Sequence, residues 1–514
     1  MTNSAPSALR PQHPVPRSLS GLVEEFNLDL RDDIDGLEVT GVSLSSRTVQ
    51  PGDLYVGVPG RNSHGATFAA GAAEAGAVAI LTDPAGAELA AHAGLPIVVT
   101  PDARAALGAV SAWIYRTDEN PATLFAVTGT NGKTSVVYLL SAILNQLGIV
   151  SGLTSTAERR IGDIAVTSNL TTPEASELHA LLARMREAEV RAVGIEVSAQ
   201  ALSRHRVDGL VFDVAGFTNL SHDHLDDYDA MEDYFQAKLE LFSPDRSRRG
   251  VVTVDSDWGR RIVDECRIPV TTLTTRDDVD ADWRMRVVAE SALFTEFVLE
   301  GPDGRRLTAR VPLLGWYMAA NAVLAIVMLV ESGFDLGAIE HALGRDGGID
   351  AYIPGRAERV SGDRGPLVYI DYGHSPDAFL NTLEAIRKFT PGRVIMVFGA
   401  DGDRDTTKRA EMGAIAARGA DVVVITDFHP RFEDPAAIRA TLIAGAREAV
   451  PDREVHEVAD PRTAFRTALA LAQEGDSILY AGPGHEDYHE VAGVKIPYSA
   501  RDDARAALRE AGWL

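Results

Sequence analysis

The chain has 514 residues, of which 45% are hydrophobic and 24% charged, and carries a formal net charge of −25. At roughly 100–200 residues per domain that length implies about three domains, with the composition of a globular protein. The excess of acid argues against nucleic acid or an anionic membrane as the main partner, because neither offers a counter-charge.

Cys266 is the single cysteine, so no intrachain disulfide can form, and a reducing, cytoplasmic compartment is expected. No apolar run approaches the roughly 18 residues of a membrane span, so no membrane insertion is expected. Residues 1–20 lack the apolar core of a signal peptide and read as a flexible tail.

Residues 21–118 read as a first α/β unit. "GDLYVGVPG" and "AVAILTD" have the character of strands, and the alanine-rich "ATFAAGAAEAGA" between them that of a helix. A second unit covers residues 119–352. Its strand "LFAVT" runs into "GTNGKTS", Gly129 to Ser135, and then into an apolar-periodic helix that Gly148 should stop. "AVGIEV" and "DVAGFT" are further strands, and strands alternating with helices predict a mostly parallel sheet. Pro354 and Gly355 mark a boundary, and residues 353–514 form a third unit with four short apolar strands: "LVYIDY", "VIMVFGA", "DVVVITD" and "SILYAG". Helices starting at Pro376, Lys408, Pro435 and Arg462 separate them, which predicts a Rossmann-like domain with its ligand at the strand C-termini. The fold class is therefore α/β in three domains, the central one built on a phosphate loop.

The loop Gly129-Thr130-Asn131-Gly132-Lys133-Thr134-Ser135 lies between a strand and a helix. Backbone N–H groups at a helix N-terminus hold phosphate, and glycine lets the backbone come close. Lys133 can reach β/γ-phosphate oxygens, and the hydroxyl of Thr134 or Ser135 can meet Mg²⁺. Relative to the common pattern, Val127 stands where a glycine is usual and the loop is shorter by two residues. Glu196 ends an apolar strand, where an unpaired carboxylate is costly to bury, so it is a Mg²⁺ candidate or a solvent-facing strand end. "FTNLSHDHLDDY" contains His222, Asp223, His224, Asp226 and Asp227, without standard zinc spacing. Lys238 lies in an apolar-patterned helix, and on pattern alone it reads as a surface lysine. The third unit's strand-end loops, "YIDYGHSPDAF", "FGADGDRDTTKR", "TDFHPRFEDP" and "AGPGHEDYH", can converge on one crevice.

These motifs together resemble the Mur ligases, ATP-dependent amide-forming enzymes of bacterial cell-wall precursor synthesis, over roughly residues 40 to 510. The residues that carry the resemblance are "SSRTVQPGDLYV", "GTNGKTS", "LTTPEA", "EVSAQALSRHRV", "FTNLSHDHLD", "AKLELF", "GRAE", "DYGHSPDA", "GADGDRD" and "GPGHEDY". Within the family the resemblance favours the ligases that add the third stem-peptide residue. "SSR…PGDL" and "GHEDY" separate the chain from folylpolyglutamate synthetase, which shares the central domain.

The resemblance implies that Gly129 to Ser135, Asn321, Arg356, Asp371 and His374 bind ATP. It implies that Thr134, Glu196, His224 and Lys238 serve Mg²⁺, Lys238 as its carbamylated, carboxylate-like derivative. Lys133, Lys238, His224 and Glu196 would be catalytic. Leu44, Ser46, Thr171, Thr172, Ser198, Arg204 and Arg206 would hold a UDP-N-acetylmuramoyl dipeptide. Arg404, Phe428, His429, Arg431, Gly482 and Glu486 would hold the free amino acid. Leu170, Arg204, Met318 and Pro483 depart from residues frequent in the family. In ligases that add meso-diaminopimelate the stretch at Phe428–Arg431 reads D-N-P-R, so a different diamino acid, such as lysine, ornithine or diaminobutyrate, is expected. A monomer is expected. The rival readings are another phosphate-loop amide ligase and a non-catalytic nucleotide-binding protein on the same scaffold.

Overall fold

A computed structural model describes residues 9–30, 34–60, 62–168, 170–223 and 225–514. Among the described residues three larger sheets organise the chain. The first has the strand order Asp29–Leu30, Ile97–Val99, Ala79–Thr82, Asp53–Gly57 and Gly41–Ser43, parallel except at the first pair. The two strands expected from sequence lie side by side in it, with Leu54 opposite Ala79. The alanine-rich stretch between them opens as a 3₁₀ turn, Gly65–Phe68, before the helix Ala69–Glu74. Gly57 shows why this turn sits so close, since a Cβ there would lie 2.9 Å from the Ala66 backbone.

The reading of residues 1–20 as a loose tail is corrected from Leu9 onward; residues 1–8 lie outside the described part. The Arg10 guanidinium pairs with Asp53 and donates to the Tyr115 hydroxyl at 3.0 Å. The N–H groups of Gln12 and His13 donate to the Glu187 carboxylate at 2.8 Å, and Arg17–Ser18 pairs antiparallel with Glu38–Val39. Asp53 is 1% exposed, and a buried carboxylate needs a cation, which the segment supplies.

Eleven strands form the central sheet among the described residues. Its middle is parallel: Ser151–Thr154, Ala192–Glu196, Thr123–Thr128, Val214–Phe217, Gly250–Thr253 and Val270–Thr274. On one side the antiparallel strands Glu158–Ile161 and Ile164–Thr167 extend it; on the other Trp283–Glu290 joins parallel to Val270–Thr274, and Thr295–Glu300 and Arg306–Val311 follow antiparallel. The helix Trp316–Glu331 is apolar nearly all round because it is buried between this sheet and the helix Lys133–Gln146. Among the described residues no helix is long and apolar enough to cross a membrane.

In the third sheet the order is Glu358–Arg359, Leu367–Asp371, Ser477–Ala481, Val394–Phe398, Val422–Ile425 and Glu454–Glu457, parallel after the first pair. The four expected strands are all present, and Asp371, Phe398, Ile425 and Ala481 end at the same edge. A parallel sheet places its ligand-bearing loops there. A two-stranded ribbon, Tyr488–Val491 with Val494–Pro497, stands beside that edge.

Candidate active site

The loop after Thr123–Thr128 requires its glycines. Gly129 has φ +146°, and a Cβ there would lie 1.9 Å from Thr218 Oγ1. Gly132 has φ +93°, with Asn321 Oδ1 only 2.5 Å from the position of a Cβ. Lys133 opens the following helix and donates to the carbonyls of Gly129 and Thr130, both at 2.9 Å. Lys238 is not a surface residue: it is 1% exposed, its Nζ donates to the same Gly129 carbonyl at 3.0 Å and lies 4.3 Å from the Tyr234 ring centre. Two ammonium groups thus share one oxygen. Burial lowers the pKa of Lys133, which the charges of Glu196 and Asp223 partly oppose. Burial, and then the neighbouring Lys133 charge, push Lys238 well below the usual lysine range.

Around this pair stand the other residues assigned to the nucleotide. The Thr134 hydroxyl accepts from Arg356 at 2.7 Å, and the Arg356 guanidinium lies 4.4 Å from the Tyr372 ring centre. Asp371 accepts the N–H groups of Ala357 and Gly373, both at 2.7 Å, so it fixes the junction into the third sheet. His374 bonds through Nδ1 to the Tyr372 carbonyl, and Asn131 donates to Asp377 at 3.1 Å. Glu196, fully buried, accepts from the Thr156 N–H at 3.2 Å and its hydroxyl at 3.0 Å.

The next side of the cleft carries hydroxyls and cations. Thr172 donates to the Glu196 carbonyl at 2.8 Å and accepts the Ser198 N–H at 3.1 Å. Arg206 pairs with Glu174 at 3.1 Å, and Arg204 with Asp227 at 2.8 Å. Thr171 lies 3.0 Å from the Thr156 hydroxyl. The far end is built by the third sheet's loops. Arg404 is 3.7 Å from Asp226, Arg431 is paired with Asp401 and Glu490, and His429 is bonded to Glu486 at 2.7 Å.

All of these regions line one cavity of about 630 Å³. From the sequence-derived set it brings together Thr130 to Ser135, Thr171, Glu196, Ser198, Arg204, Arg206, Asn321, Arg356, Asp371, His374, Arg404, Phe428, His429, Arg431 and Glu486. Gly129, Thr172 and Lys238 support the wall from behind through the contacts above. Gly482, at φ +114°, binds the Asp371 carbonyl through its N–H without lining the cavity. Leu44 and Ser46 are also absent from the lining and follow the strand Gly41–Ser43 of the first sheet. His224 lies outside the described residues.

Sequence reading left several cleft residues unassigned. Tyr372 lies against Arg356, Thr156 holds Glu196, and the buried Lys408–Asp223 ion pair at 2.8 Å joins the third sheet's loop to the central domain. "DGDRDTTK" and "SHDHLDD" each show these groups, but no pattern in a sequence pairs residues 185 positions apart.

The cleft suits a polyphosphate with a divalent ion. Lys133, Lys238 and Arg356 surround the loop's N–H groups, while Glu196 and the Thr134 hydroxyl offer oxygen. Among the described residues no group of three His, Cys, Asp or Glu side chains forms a ready-made metal site.

Comparisons with known proteins agree with this geometry. The model of the Mur ligase middle domain matches residues 127–329, that of the Mur ligase, glutamate ligase domain matches 355–484, and that of the Mur ligase family, catalytic domain matches 38–115. The UDP-N-acetylmuramyl-tripeptide synthetase of Leifsonia xyli subsp. xyli is 75% identical over 514 residues, covering 100% of both chains. The UDP-N-acetylmuramoyl-L-alanyl-D-glutamate–2,6-diaminopimelate ligase of Streptomyces coelicolor is 44% identical, covering 98% of this chain and 99% of its own. A solved structure of a ligase with that same name superposes with a TM-score of 0.65 at 26% identity, over 97% of this chain and 100% of the other.

Proposed function

The chain belongs to the Mur ligase family, and from that premise we propose that it joins a free diamino acid to UDP-N-acetylmuramoyl-L-alanyl-D-glutamate at the expense of ATP, in peptidoglycan synthesis. We propose that it acts in the cytoplasm as a monomer; the described lining of the cleft comes from a single chain. The single observation that carries the reading is this shared cavity: the phosphate loop, the Thr171–Arg206 wall and the loops of the third sheet meet around about 630 Å³.

The chemistry needs two stages. A carboxylate is a poor electrophile, so the dipeptide carboxylate first attacks the γ-phosphorus of ATP, forming an acyl phosphate and releasing ADP. The amino group of the free amino acid then attacks the acyl carbon, the C–O bond to phosphate breaks, phosphate leaves, and the amine loses a proton. Loop N–H groups and Lys133 hold the phosphates and offset the charge that gathers as the P–O bond breaks. Arg356, bonded to the Thr134 hydroxyl at 2.7 Å, stands beside the loop as a further cation for phosphate. Arg206, Ser198 and the Thr171–Thr172 pair hold the dipeptide, and the third sheet's loops hold the amine in line. Mg²⁺, held by Thr134, Glu196, His224 and modified Lys238 together with phosphate oxygens, would supply further charge stabilisation.

The surroundings of Lys238 support its carbamylation. As an ammonium it repels Lys133 across one carbonyl. Addition of CO₂ to the neutral amine, with loss of a proton, gives an anion and turns that repulsion into attraction.

The test is phosphate release by the purified chain with ATP, Mg²⁺ and UDP-muramoyl dipeptide, with and without diamino acids. Release that requires both dipeptide and amino acid is expected. Tight ATP binding without turnover, or turnover with a folate acceptor instead, overturns the reading.

A further inference from the structure

At the end of the cleft farthest from the phosphate loop, the charges are arranged around the one arginine that would have to grip a second carboxylate. Arg431 donates from Nη1 to the Gly402 carbonyl at 2.9 Å, its Nε lies 3.3 Å from Glu490 and its Nη2 lies 3.3 Å from Asp401. Its backbone, at φ +49°, is clamped to the two-stranded ribbon: the Arg431 N–H donates to the Glu490 carbonyl at 3.2 Å, and the Ala492 N–H to the Arg431 carbonyl at 2.7 Å. The guanidinium is therefore engaged by the protein on all of its donor sides named here. A substrate carboxylate arriving there would displace Asp401 or Glu490 and then stand among like charges.

Beside it, His429 is 2% exposed and fixed on both nitrogens. The Glu490 N–H donates to Nδ1 at 2.9 Å, so that nitrogen is an acceptor and carries no proton. The ring proton is on Nε2, which donates to Glu486 Oε2 at 2.7 Å. With Nδ1 accepting and Nε2 donating, the ring has one N–H, and it is spent on Glu486. The Phe428 ring at 4.1 Å and the Tyr488 ring at 5.1 Å hold the imidazole in place. Three carboxylates, Asp401, Glu486 and Glu490, thus stand around one guanidinium and one imidazole. Arg404, half exposed and only loosely paired with Asp226, stays available for the α-carboxylate.

We propose that the amino acid taken by this site carries a distal ammonium and no distal carboxylate, that Glu486 receives the ammonium, and that His429 is the residue that positions Glu486. The proposal rests on the ligase reading and narrows its acceptor from diamino acids in general to singly carboxylated ones. Glu486 Oε1 is the acceptor left for the ammonium once Oε2 is bonded to His429. The D-N of the related D-N-P-R stretch is replaced here by the aromatic Phe428 and by His429, whose only donor points to Glu486. Neither residue of this chain offers a group to a second carboxylate.

The experiment is a panel at equal concentrations of lysine, ornithine, 2,4-diaminobutyrate, meso-diaminopimelate and norleucine, read as dipeptide-dependent phosphate release and as mass of the product. One of the three singly carboxylated diamino acids should exceed both meso-diaminopimelate and norleucine in kcat/KM by at least about tenfold. A preference for meso-diaminopimelate overturns the inference and leaves the ligase reading intact. No release with any member of the panel overturns the ligase reading itself. In Glu486→Gln the KM for the preferred amino acid should rise by about tenfold or more, with the KM for ATP unchanged and the advantage over norleucine lost. His429→Leu should raise the same KM and His429→Gln, which keeps a donor, should restore it in part. An equal rise in the KM for ATP, or no recovery in His429→Gln, assigns His429 a merely structural role and overturns its part of the proposal.

Discussion

The two ends of the cleft are opposites in charge. At the phosphate loop, Lys133, Lys238 and Arg356 crowd together, and two of them share a single carbonyl. At the other end, two carboxylates hold one arginine and a third is bonded to His429 beside it. A site that must take a polyanion at one end and deliver an amine at the other needs this polarity, because each substrate then finds its counter-charge in only one place. Each end is also unbalanced without substrate, which makes the polarity testable by removing one charge at a time.

The largest effect should come from breaking the cationic end at its centre. Lys133→Ala is expected to lower turnover by at least about a thousandfold, since the charge it removes stabilises the leaving phosphate. A thermal melt within a few degrees of the parent protein would show that the fold survives. Near-parental phosphate release from the folded variant would remove the loop from the mechanism.

Lys238→Ala should come next, with a loss of about a hundredfold or more. Intact-protein mass at neutral pH in bicarbonate should show the parent chain heavier by one CO₂, a difference absent in the variant and lost on acidification. A short carboxylate such as acetate should return part of the variant's activity. Full activity of the variant without additive, or a parent chain of unmodified mass in active preparations, would break the assignment.

The link between the two ends is the Lys408–Asp223 pair, which is buried on both sides. Removing one member leaves the other charge buried, which costs about 3–5 kcal/mol in comparable sites, whereas removing both costs less. Lys408→Met should therefore reduce amino-acid-dependent turnover by about tenfold or more, and Lys408→Met with Asp223→Asn should recover part of that loss. If the double variant is as weak as the sum of the two singles, the pair does not couple the loops.

How much of this was legible in sequence depended on how local each feature is. The phosphate loop is one contiguous turn between one strand and one helix, so Gly129 to Ser135 could be read directly. The third sheet's strands were legible because they are short, apolar and buried on both faces. Lys238 was misread by pattern alone, since periodicity shows which residues could face a core but not that a lysine is enclosed by a loop more than a hundred residues earlier. The strands Trp283–Glu290 and Arg306–Val311 were not singled out, because their exposed face is rich in arginine and only the other face packs on a helix. The His429–Glu486 bond and the engagement of Arg431 were invisible for the same reason as the Lys408–Asp223 pair: each joins segments brought together only by the sheet.

The smallest effect tests a contact outside both ends and serves as their control. His179 is fully buried where the first domain meets the central one. It accepts at Nδ1 from the Thr117 hydroxyl at 2.7 Å and donates from Nε2 to the Asp208 carbonyl at 2.9 Å. Burial lowers its pKa from 6.5 to about 4, with the Asp208 interactions opposing. Since the folded value lies below the free one, the unfolded chain takes up more protons between about pH 6.5 and 4. The contribution of the neutral ring is complete above that window and falls as the pH drops through it, by about 3 kcal/mol in all. His179→Asn removes the titration along with the two hydrogen bonds. The parent protein should thus melt higher than the variant at pH 8, by the equivalent of about 1–3 kcal/mol, and the gap should narrow at pH 5. The KM values for ATP and amino acid at pH 8 should not move, because neither end of the cleft has lost a charge. A gap independent of pH would mean that His179 is not held neutral. A shift confined to the KM for one substrate would mean that the domain contact reaches into that end of the cleft.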